Sequence, residues 1–405
     1  MTSPGRPPSA GSVRLAAAVV LVALNLRLVV GSLGPELDRV RAGLGLSSVA
    51  TSVLTALPVF VFGGLALAGP WLSHRLGLRR SILVVLVALV GGSVLRIGPN
   101  GFTLFAGTLL AAAGIAVANV LMPVVARREF PTRTGVMLGI TTTATIGSVA
   151  AAAGLTVPVA NALGAGWRGG LGIWAAVSGL TLLIWLPFAL QEHERDEGEA
   201  PHLSRAMLRS PLAWMITLFF GLQSLNVYVV VNWLPSIYTD HGYSHSAAGA
   251  LLAFLSLVQL PVALVVPSVA SRLRSQTPIV VGVMVCSAVA FFGILFSPTT
   301  PAVLWLILLG MGQGAAFPLC LSFVVLRART HSETAQLSTM MQSIGYVIAG
   351  VGPLVFGALH AATGSWRGPL VFLIVLLVPE LVVGLRAAHP GFVELRGDAI
   401  KKTDA

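Results

Sequence analysis

The stretch GAGWRGGLGIW at residues 164–174 returns as TGSWRGPLVF at residues 363–372, with the two aligned tryptophans 199 positions apart. Further pairs recur at nearly the same spacing along the chain. They are PWLSHR (70–75) with PSVASR (267–272), Gly114 with Gly314, Arg127 with Arg327, and LNLRLVVGSLGP (24–35) with LNVYVVVNWLP (225–235). Several anchors at one offset indicate that the chain consists of two similar halves in tandem.

The composition decides what surrounds these halves. Hydrophobic residues make up 56% of the 405 residues and charged residues only 10%, too few to cover the surface of a soluble domain. A helix of about 20 residues crosses a hydrocarbon core of about 30 Å, and lipid leaves helices as the way to satisfy such a backbone. Twelve segments qualify, near 13–35, 48–72, 81–98, 101–126, 135–162, 167–190, 211–236, 246–270, 277–297, 301–325, 334–362 and 366–387.

The predicted fold is therefore an all-α integral membrane fold, with twelve transmembrane helices in two six-helix halves. We expect a disordered N-terminal segment at 1–12, a first half at 13–190, a charged linker at 191–210, a second half at 211–387 and a tail at 388–405. Cys286 and Cys320 lie in apolar runs and indicate neither a disulfide nor a metal site. The sequence offers no reactive cluster of histidines and carboxylates at one depth, so neither an enzyme nor a cofactor is expected.

The basic residues behind the net charge of +11 lie mainly in the loops and at the ends of the chain. Basic residues gather between alternate helices, whereas the opposite loops hold only Arg39, Arg41, Arg168 and Arg367. This positive-inside pattern predicts an inner-membrane protein with both termini and the linker in the cytoplasm. The charge thus indicates topology rather than nucleic-acid binding. The expected partners are the lipid bilayer and a small solute, bound by a monomer.

Two parallel six-helix halves joined by such a linker are typical of secondary transporters of the major facilitator type, which bind solute at the midplane between the halves. The loop after helix two, PWLSHRLGLRR at 70–80, resembles the loop motif of that superfamily. Arg75, Gly77, Arg79 and Arg80 fit the motif. His74 stands at its acidic position and Pro70 at its leading glycine, so the usual aspartate-based pairing is absent or replaced.

The chain resembles the cyanate/2-nitroimidazole transporter (CynX/NimT) subfamily more closely still. The resemblance is carried by ALNLR (23–27), ALPVFVFG (56–63), GIAVANVLMPVVARREFPTRTG (114–135) and FFGLQSLNVYVVVNWLP (219–235). It implies a small-solute transporter that works by alternating access, with helices one, four, seven and ten lining the cavity. Cyanate-like anions and nitroimidazole-like neutral heteroaromatics both remain open as the solute, and so does the direction of transport.

Arg27 is the charged residue that lies well inside an apolar span. A central arginine costs about 2.5–3.5 kcal/mol on insertion scales, so its presence needs a reason. We predict that the guanidinium faces the central cavity and attracts an anionic or strongly dipolar solute. The alternative is a structural arginine that bonds carbonyls at a helix break or packs against another helix.

Helix seven carries two polar stripes. Gln223, Asn226, Val230 and Trp233 share one face by their helical spacing, and Tyr228, Asn232 and Pro235 share another. Both stripes cannot face lipid, so one bonds to other helices and one lines the cavity. We favour Tyr228 and Asn232 for the cavity, because the repeat aligns Tyr228 with Arg27. Trp233 either walls the cavity or belongs to an interfacial aromatic belt.

Four further amides complete the candidate substrate-binding set: Asn25, Asn119, Gln313 and Gln342. Each one either bonds to a neighbouring helix or contacts the solute. Arg96, near the end of helix three, is expected to snorkel unless it contacts solute, and Glu380 is expected to be an interfacial or paired carboxylate. The cavity-facing helices show no evident buried acid or mid-membrane histidine. Facilitated diffusion, or movement of a monoanion balanced by Arg27, is therefore simpler than proton coupling.

Overall fold

A computed structural model describes residues 10–191 and 203–393, and in these ranges every regular element is a helix. The first half comprises α1 (Ala10–Gly31), α2 (Leu33–Leu44), α3 (Ser48–Leu65), α4 (Ala68–Leu76), α5 (Leu78–Arg96), α6 (Gly101–Glu129), α7 (Thr134–Ala162) and α8 (Gly166–Leu190). The second half follows the short α9 (Arg205–Arg209). It comprises α10 (Pro211–Asp240), α11 (His245–Arg272), α12 (Thr277–Phe296), α13 (Ala302–Leu326), α14 (His331–Thr363) and α15 (Arg367–Ala388).

The predicted twelve spans are confirmed, with breaks in the first two. The described residues hold eleven helices long and apolar enough to cross a membrane, and the pair α3–α4, bent by 56°, supplies the twelfth. The first span runs from Val13 to Leu37 across the junction of α1 and α2. The N-terminal segment predicted to be disordered lies outside the described residues up to position 9, and helix α1 already begins at Ala10. Most of the predicted linker and tail also lies outside them.

The sequence repeat is also a repeat of contacts. In the first half, Asn25 of α1 donates from Nδ2 to Thr181 Oγ1 of α8 at 2.8 Å. In the second half, Asn226 of α10 donates from Nδ2 to Glu380 Oε2 of α15 at 2.7 Å. Thr181 and Glu380 are 199 positions apart, the same spacing as the aligned tryptophans of these helices. In each half, an asparagine on the first helix is therefore bonded to the last helix.

The two halves contact each other along a surface that we call the seam, and its bonds concentrate at the linker end of the helices. At the end of α6, Arg127 donates to four acceptors of the second half. These are Val325 O (3.1 Å), Ala328 O (2.7 Å), Arg329 O (2.7 Å) and Thr334 Oγ1 (2.8 Å). Arg327, the repeat partner of Arg127, instead bonds within its own half, to Gln276 and to the carbonyls of Ala387 and Ala388.

Helices α7 and α11 also meet at the seam, and a glycine lets them approach closely. A Cβ atom placed on Gly139 would stand 2.2 Å from the carbonyl oxygen of Leu264. On α10, by contrast, Val231 and Asn232 are exposed on the far side of the midplane from the linker. The seam is thus closed at the linker end of the molecule.

Candidate solute-binding site between the halves

Arg27 lies in the middle of the molecule, half-buried, where side chains of both halves meet. Its Nη2 atom donates to the Tyr346 hydroxyl of α14 at 3.4 Å. Its guanidinium carbon lies 5.3 Å from the ring centroid of Phe62 on α3, and Tyr228 of α10 interacts with it electrostatically. The groups around Arg27 therefore come from one helix of its own half and two helices of the other.

Aromatic rings form the wall of this site. The Tyr346 ring lies 5.5 Å from that of Phe62 and meets Phe220 edge-on at 5.2 Å and 87°. A guanidinium over an aromatic face gains about 0.5–2 kcal/mol, depending on how far it is desolvated. The rings thus hold the cation in place without neutralising it.

Arg27 has no acidic partner in the described part of the chain. Ion pairs there join Arg39 to Glu36 and Arg79 to Glu129, and no described carboxylate lies within 4.0 Å of the Arg27 guanidinium. A partly buried cation without a counter-ion is costly in a membrane, which makes Arg27 a candidate functional position.

The two stripes of α10 separate as their spacing predicts. Tyr228 points to Arg27, and Asn232, one turn further, is exposed and donates to the Tyr228 carbonyl at 2.7 Å. Gln223 and Asn226 point into the second half, away from Arg27. Gln223 donates to Ser224 Oγ at 2.6 Å. Of the two stripes, the one with Tyr228 is therefore the one that contacts Arg27.

Two candidates have packing partners instead. Asn25 uses its amide on α8, donating to Thr181 and accepting from Ser178 Oγ at 2.7 Å. Trp233 donates to the carbonyl of Pro353 at 3.2 Å, and its ring lies 6.1 Å from Phe356 in an aromatic cluster of the second half. Asn25 therefore packs between α1 and α8, and Trp233 packs in an aromatic cluster of the second half.

The remaining amides divide between the seam and the interior of the second half. Gln342 of α14 donates across the seam to the Asn119 carbonyl at 2.9 Å, while the buried Nδ2 of Asn119 has no partner. Gln313 accepts a bond from Gln259 at 3.4 Å and lines a small cavity together with Gln223. Asn119 and Gln342 thus lie at the junction of the halves, and Gln313 lies elsewhere.

Tyr346 and Phe62 were missed as candidates by reasoning from sequence. Both are buried in the structure. Tyr346 sits in the glycine-rich stretch GYVIAGVGP, whose small residues indicate helix packing, and Phe62 sits in the apolar stretch ALPVFVFG. A signal was nevertheless present, since the chain has only four tyrosines and one of them lies within helix eleven.

The loop between the second and third spans lacks the acid of its motif, and a carboxylate from another helix takes its place. Arg79 is held by Glu129 of α6 through two bonds, Nε to Oε1 at 3.0 Å and Nη2 to Oε2 at 2.7 Å. Gly77 adopts the left-handed region with a φ of 87°, which explains a glycine at this position. Arg75 lies 4.8 Å from the Trp71 ring, and Arg80 follows in the first turn of α5. The pairing is therefore present, with its carboxylate supplied by another helix.

One expectation about charged residues is wrong. Arg96 does not snorkel: it is 2% exposed and donates to the carbonyl of Val29, in the last turn of α1 before the helix break. A helix end leaves carbonyls unpaired, and a buried guanidinium satisfies them. Glu380 is a paired carboxylate, but its partner is the neutral amide of Asn226: it is 2% exposed, and no described cation lies within 4.0 Å. For both residues, a position near a helix end in the sequence did not predict how deeply the side chain is buried.

Two repeated six-helix halves, closed at one end and meeting around an unpaired cation at the centre, define a secondary transporter with its site between the halves. The chain belongs to the Major Facilitator Superfamily, whose family model matches residues 15–350. Members of this superfamily transport small solutes by alternating access, and the relatives of this chain are transporters rather than enzymes.

Known proteins support this assignment. The chain is 35% identical to the 2-nitroimidazole transporter of Escherichia coli over 93% of its own length and 95% of that protein. It is 32% identical to the cyanate transport protein CynX of Escherichia coli, over 93% of this chain and 98% of that one. Among solved structures it is similar to the transporter FucP in the outward conformation. That match has a TM-score of 0.73 at 12% identity, covering 94% of this chain and 99% of FucP.

Proposed function

We propose that this transporter carries a small polar or anionic organic solute of the cyanate type across the inner membrane, and that Arg27 binds it. One observation carries the proposal: a half-buried guanidinium lies at the seam, and no carboxylate of residues 10–191 or 203–393 lies within 4.0 Å of it. An anion supplies the missing counter-charge and accepts two parallel N–H bonds from the guanidinium.

The surrounding groups favour a small solute. The hydroxyls of Tyr346 and Tyr228 lie beside Arg27 and offer further donors to an anion. The unpartnered Nδ2 of Asn119 offers another donor toward the linker end, where Gln342 ties α14 to α6. Phe62 closes one side of this space with an apolar ring. We assign Asn232, which is exposed on α10, to the open end of the path.

A second candidate is a neutral heteroaromatic drug such as a nitroimidazole, moved outward. The observation that favours it is the group of rings around Arg27, where Phe62, Tyr346 and Phe220 stand 5.2–5.5 Å apart in succession. An aromatic solute gains from offset or edge-on contact with such rings. One relative is named for 2-nitroimidazole and another for cyanate, so this choice rests on experiment.

The proposed topology follows the charges of the loops. Both termini and the linker lie in the cytoplasm, the closed end of the seam is the cytoplasmic end, and the central site opens outward. In this arrangement the bonds of Arg127 to the second half hold the cytoplasmic side shut. Each half, 13–190 and 211–387, moves as a unit about the seam, within a monomer.

The test compares Arg27→Ala and Arg27→Lys with Arg168→Ala, a control that removes an exposed arginine at the start of α8. Thermal stabilisation of purified protein by cyanate, thiocyanate and 2-nitroimidazole measures binding without assuming a direction. Loss of a charge-assisted bond is worth about 1.5–3 kcal/mol, or roughly 10-fold or more in affinity. We expect Arg27→Ala to lose binding of the anions, and Arg27→Lys to keep part of it.

Counterflow of labelled cyanate in proteoliposomes then measures transport. We expect Arg27→Ala to abolish it and Arg168→Ala to leave it unchanged. Retained anion binding and counterflow in Arg27→Ala would overturn the electrostatic proposal. Stabilisation by 2-nitroimidazole alone, unaffected by Arg27→Ala, would establish the second candidate.

A further inference from the structure

The second half contains a buried polar cavity that the central site does not use. It is lined by Gln223 and Asn226 of α10, Ser287 of α12, Gln313 of α13 and Glu380 of α15, with apolar residues between them. The cavity has room for about one water molecule.

The polar atoms around this cavity are incompletely bonded. Gln223, Asn226 and Gln313 are 2%, 4% and 6% exposed. The oxygens Gln223 Oε1 and Asn226 Oδ1 and the nitrogen Gln313 Nε2 have no hydrogen-bond partner. Buried polar atoms normally have partners, so three orphans around one cavity need a reason.

Glu380 supplies that reason, because the hydrogen bonds that its carboxyl group can make depend on whether it is protonated. As a carboxylate it only accepts, and Asn226 Nδ2 already donates to it at 2.7 Å. Gln313 Nε2 is a second free donor on the same cavity. As a carboxylic acid it also donates one O–H, and Gln223 Oε1 and Asn226 Oδ1 are free acceptors. The cavity is therefore equipped for both protonation states.

The charged and titratable side chains on the helices around Glu380 do not form an ion pair with its carboxylate. The group facing it from α13 is the Cys320 thiol, which is also buried. Tyr228 of α10 points to Arg27, as does Tyr346 of α14. On α12, Cys286 is half-buried and does not line the cavity, and on α15 itself Arg367 and Arg386 are exposed. Arg327 bonds to the last carbonyls of α15, beyond 4.0 Å from the Glu380 carboxylate.

Comparison of the halves shows that packing does not require an acid here. At the equivalent position of the first half, Asn25 donates to Thr181, a neutral hydroxyl, at 2.8 Å. The same bond between the same pair of helices is therefore made without a titratable group. Glu380 also lies 8 residues before the end of α15 at Ala388. At a rise of about 1.5 Å per residue it is about 12 Å deep.

We propose that Glu380 is a proton-binding site of this transporter, which takes up and releases one proton during the transport cycle. Burial away from cations disfavours a charged carboxyl, and the amides that face it accept or donate according to its state. Asn226 joins it to α10, where Tyr228 lies two positions away and so points about 200° around the helix, to Arg27. Changes at Glu380 thus reach the helix that contacts the central site. The proposal does not depend on which solute is carried.

The direct test is infrared spectroscopy of the purified full-length protein as the pH is varied. A buried protonated carboxyl gives a carbonyl-stretch band that disappears as the proton leaves. We expect such a band in the wild type and its loss in Glu380→Gln and in Glu380→Thr, which copies the first half. Glu36→Gln is the matched control, because Glu36 is equally buried but paired with Arg39 at 3.4 Å. It should leave the band unchanged.

A second measurement tests coupling. In proteoliposomes, an imposed pH gradient should change the steady-state accumulation of labelled cyanate by the wild type. Glu380→Thr should keep counterflow and lose this response. The proposal is overturned if a titrating band survives in Glu380→Thr, or if that variant responds to the pH gradient as the wild type does. If the protein does not carry cyanate, the infrared measurement still shows whether Glu380 binds a proton. An error in the proposed solute is therefore distinguishable from an error in the proposed proton site.

Discussion

Arg27 and Tyr228 stand 201 positions apart, at equivalent places in the two repeats, and their side chains interact across the seam between the halves. Equivalent positions of two parallel halves meet where their pseudo-symmetry axis passes. A position on that axis is near both halves in every state of a rocking transporter. The duplication has thus placed a cation and a phenol together at the interface between the halves, where the proposed solute site lies.

Tyr346→Phe should weaken binding of a small anion about 2- to 10-fold and leave folding intact. The hydroxyl that bonds Arg27 is lost, which is worth about 0.5–1.5 kcal/mol, while the ring contacts with Phe62 and Phe220 remain. Titration of thermal stabilisation with cyanate measures the change. The matched control is Tyr243→Phe, since the Tyr243 hydroxyl bonds the Thr299 carbonyl in an exposed loop region. Equal effects of the two variants would contradict the assignment.

Arg127→Ala should open the linker end. It removes one guanidinium that donates to four acceptors of the other half, and bonds to a charged group are worth about 1.5–3 kcal/mol each. We expect the population to shift toward the state open at the linker end. Accessibility of a cysteine placed at Ser338, which is buried and donates across the seam to the Val120 carbonyl at 3.0 Å, to a thiol reagent reports that state.

Arg133→Ala is the control for that experiment, because Arg133 is exposed in the loop after the same helix. Labelling of the cysteine should rise with Arg127→Ala and stay at the wild-type level with Arg133→Ala. Unchanged labelling in Arg127→Ala would show that the seam stays closed without these bonds.

Gly139→Ala should impair transport through one added methyl group. The new Cβ would stand 2.2 Å from the Leu264 carbonyl, so α7 and α11 must separate at the seam. Gly154→Ala lies on the same helix and its Cβ meets nothing within 4 Å. Because alanine favours a helix over glycine at both sites, the control should transport normally or be slightly more stable. Equal counterflow in the two variants would show that close approach is dispensable.

Glu129→Gln and Arg79→Gln should each lower the melting temperature of the purified protein, and the double variant should lose little more than either. The two side chains form a bidentate pair at 2.7 and 3.0 Å, and removal of either partner breaks both of these bonds. Residues in such contact show coupling of about 0.5–3 kcal/mol in a double-mutant cycle. Fully additive losses would mean that Glu129 does not replace the missing acid of the loop motif.

The spans could be predicted from the sequence because apolar runs of sufficient length have few alternatives in a membrane. The stripe of α10 that carries Tyr228 also followed from its repeat partner, Arg27. The break at the end of α1 could not be predicted, because the Val29 carbonyl there is bonded by Arg96, which lies on another helix, as well as by the neighbouring Ser32. The same limit applies to Glu380 and Tyr346, whose surroundings are created by helices distant in the sequence. Spacing along one helix assigns a residue to a face, and only the packing shows what that face meets.

The bonds of Arg127 have a consequence for how the two halves can evolve. Three of its four acceptors are main-chain carbonyls, at Val325, Ala328 and Arg329. Substitution in the second half leaves these three acceptors in place, so this part of the closure tolerates sequence drift. On the first-half side these bonds depend on a single side chain, and Arg327 cannot replace it because it bonds within its own half. A chimera that joins the first half of this protein to the second half of a relative should therefore still close, whereas the reverse chimera closes only if the relative supplies an arginine at that position.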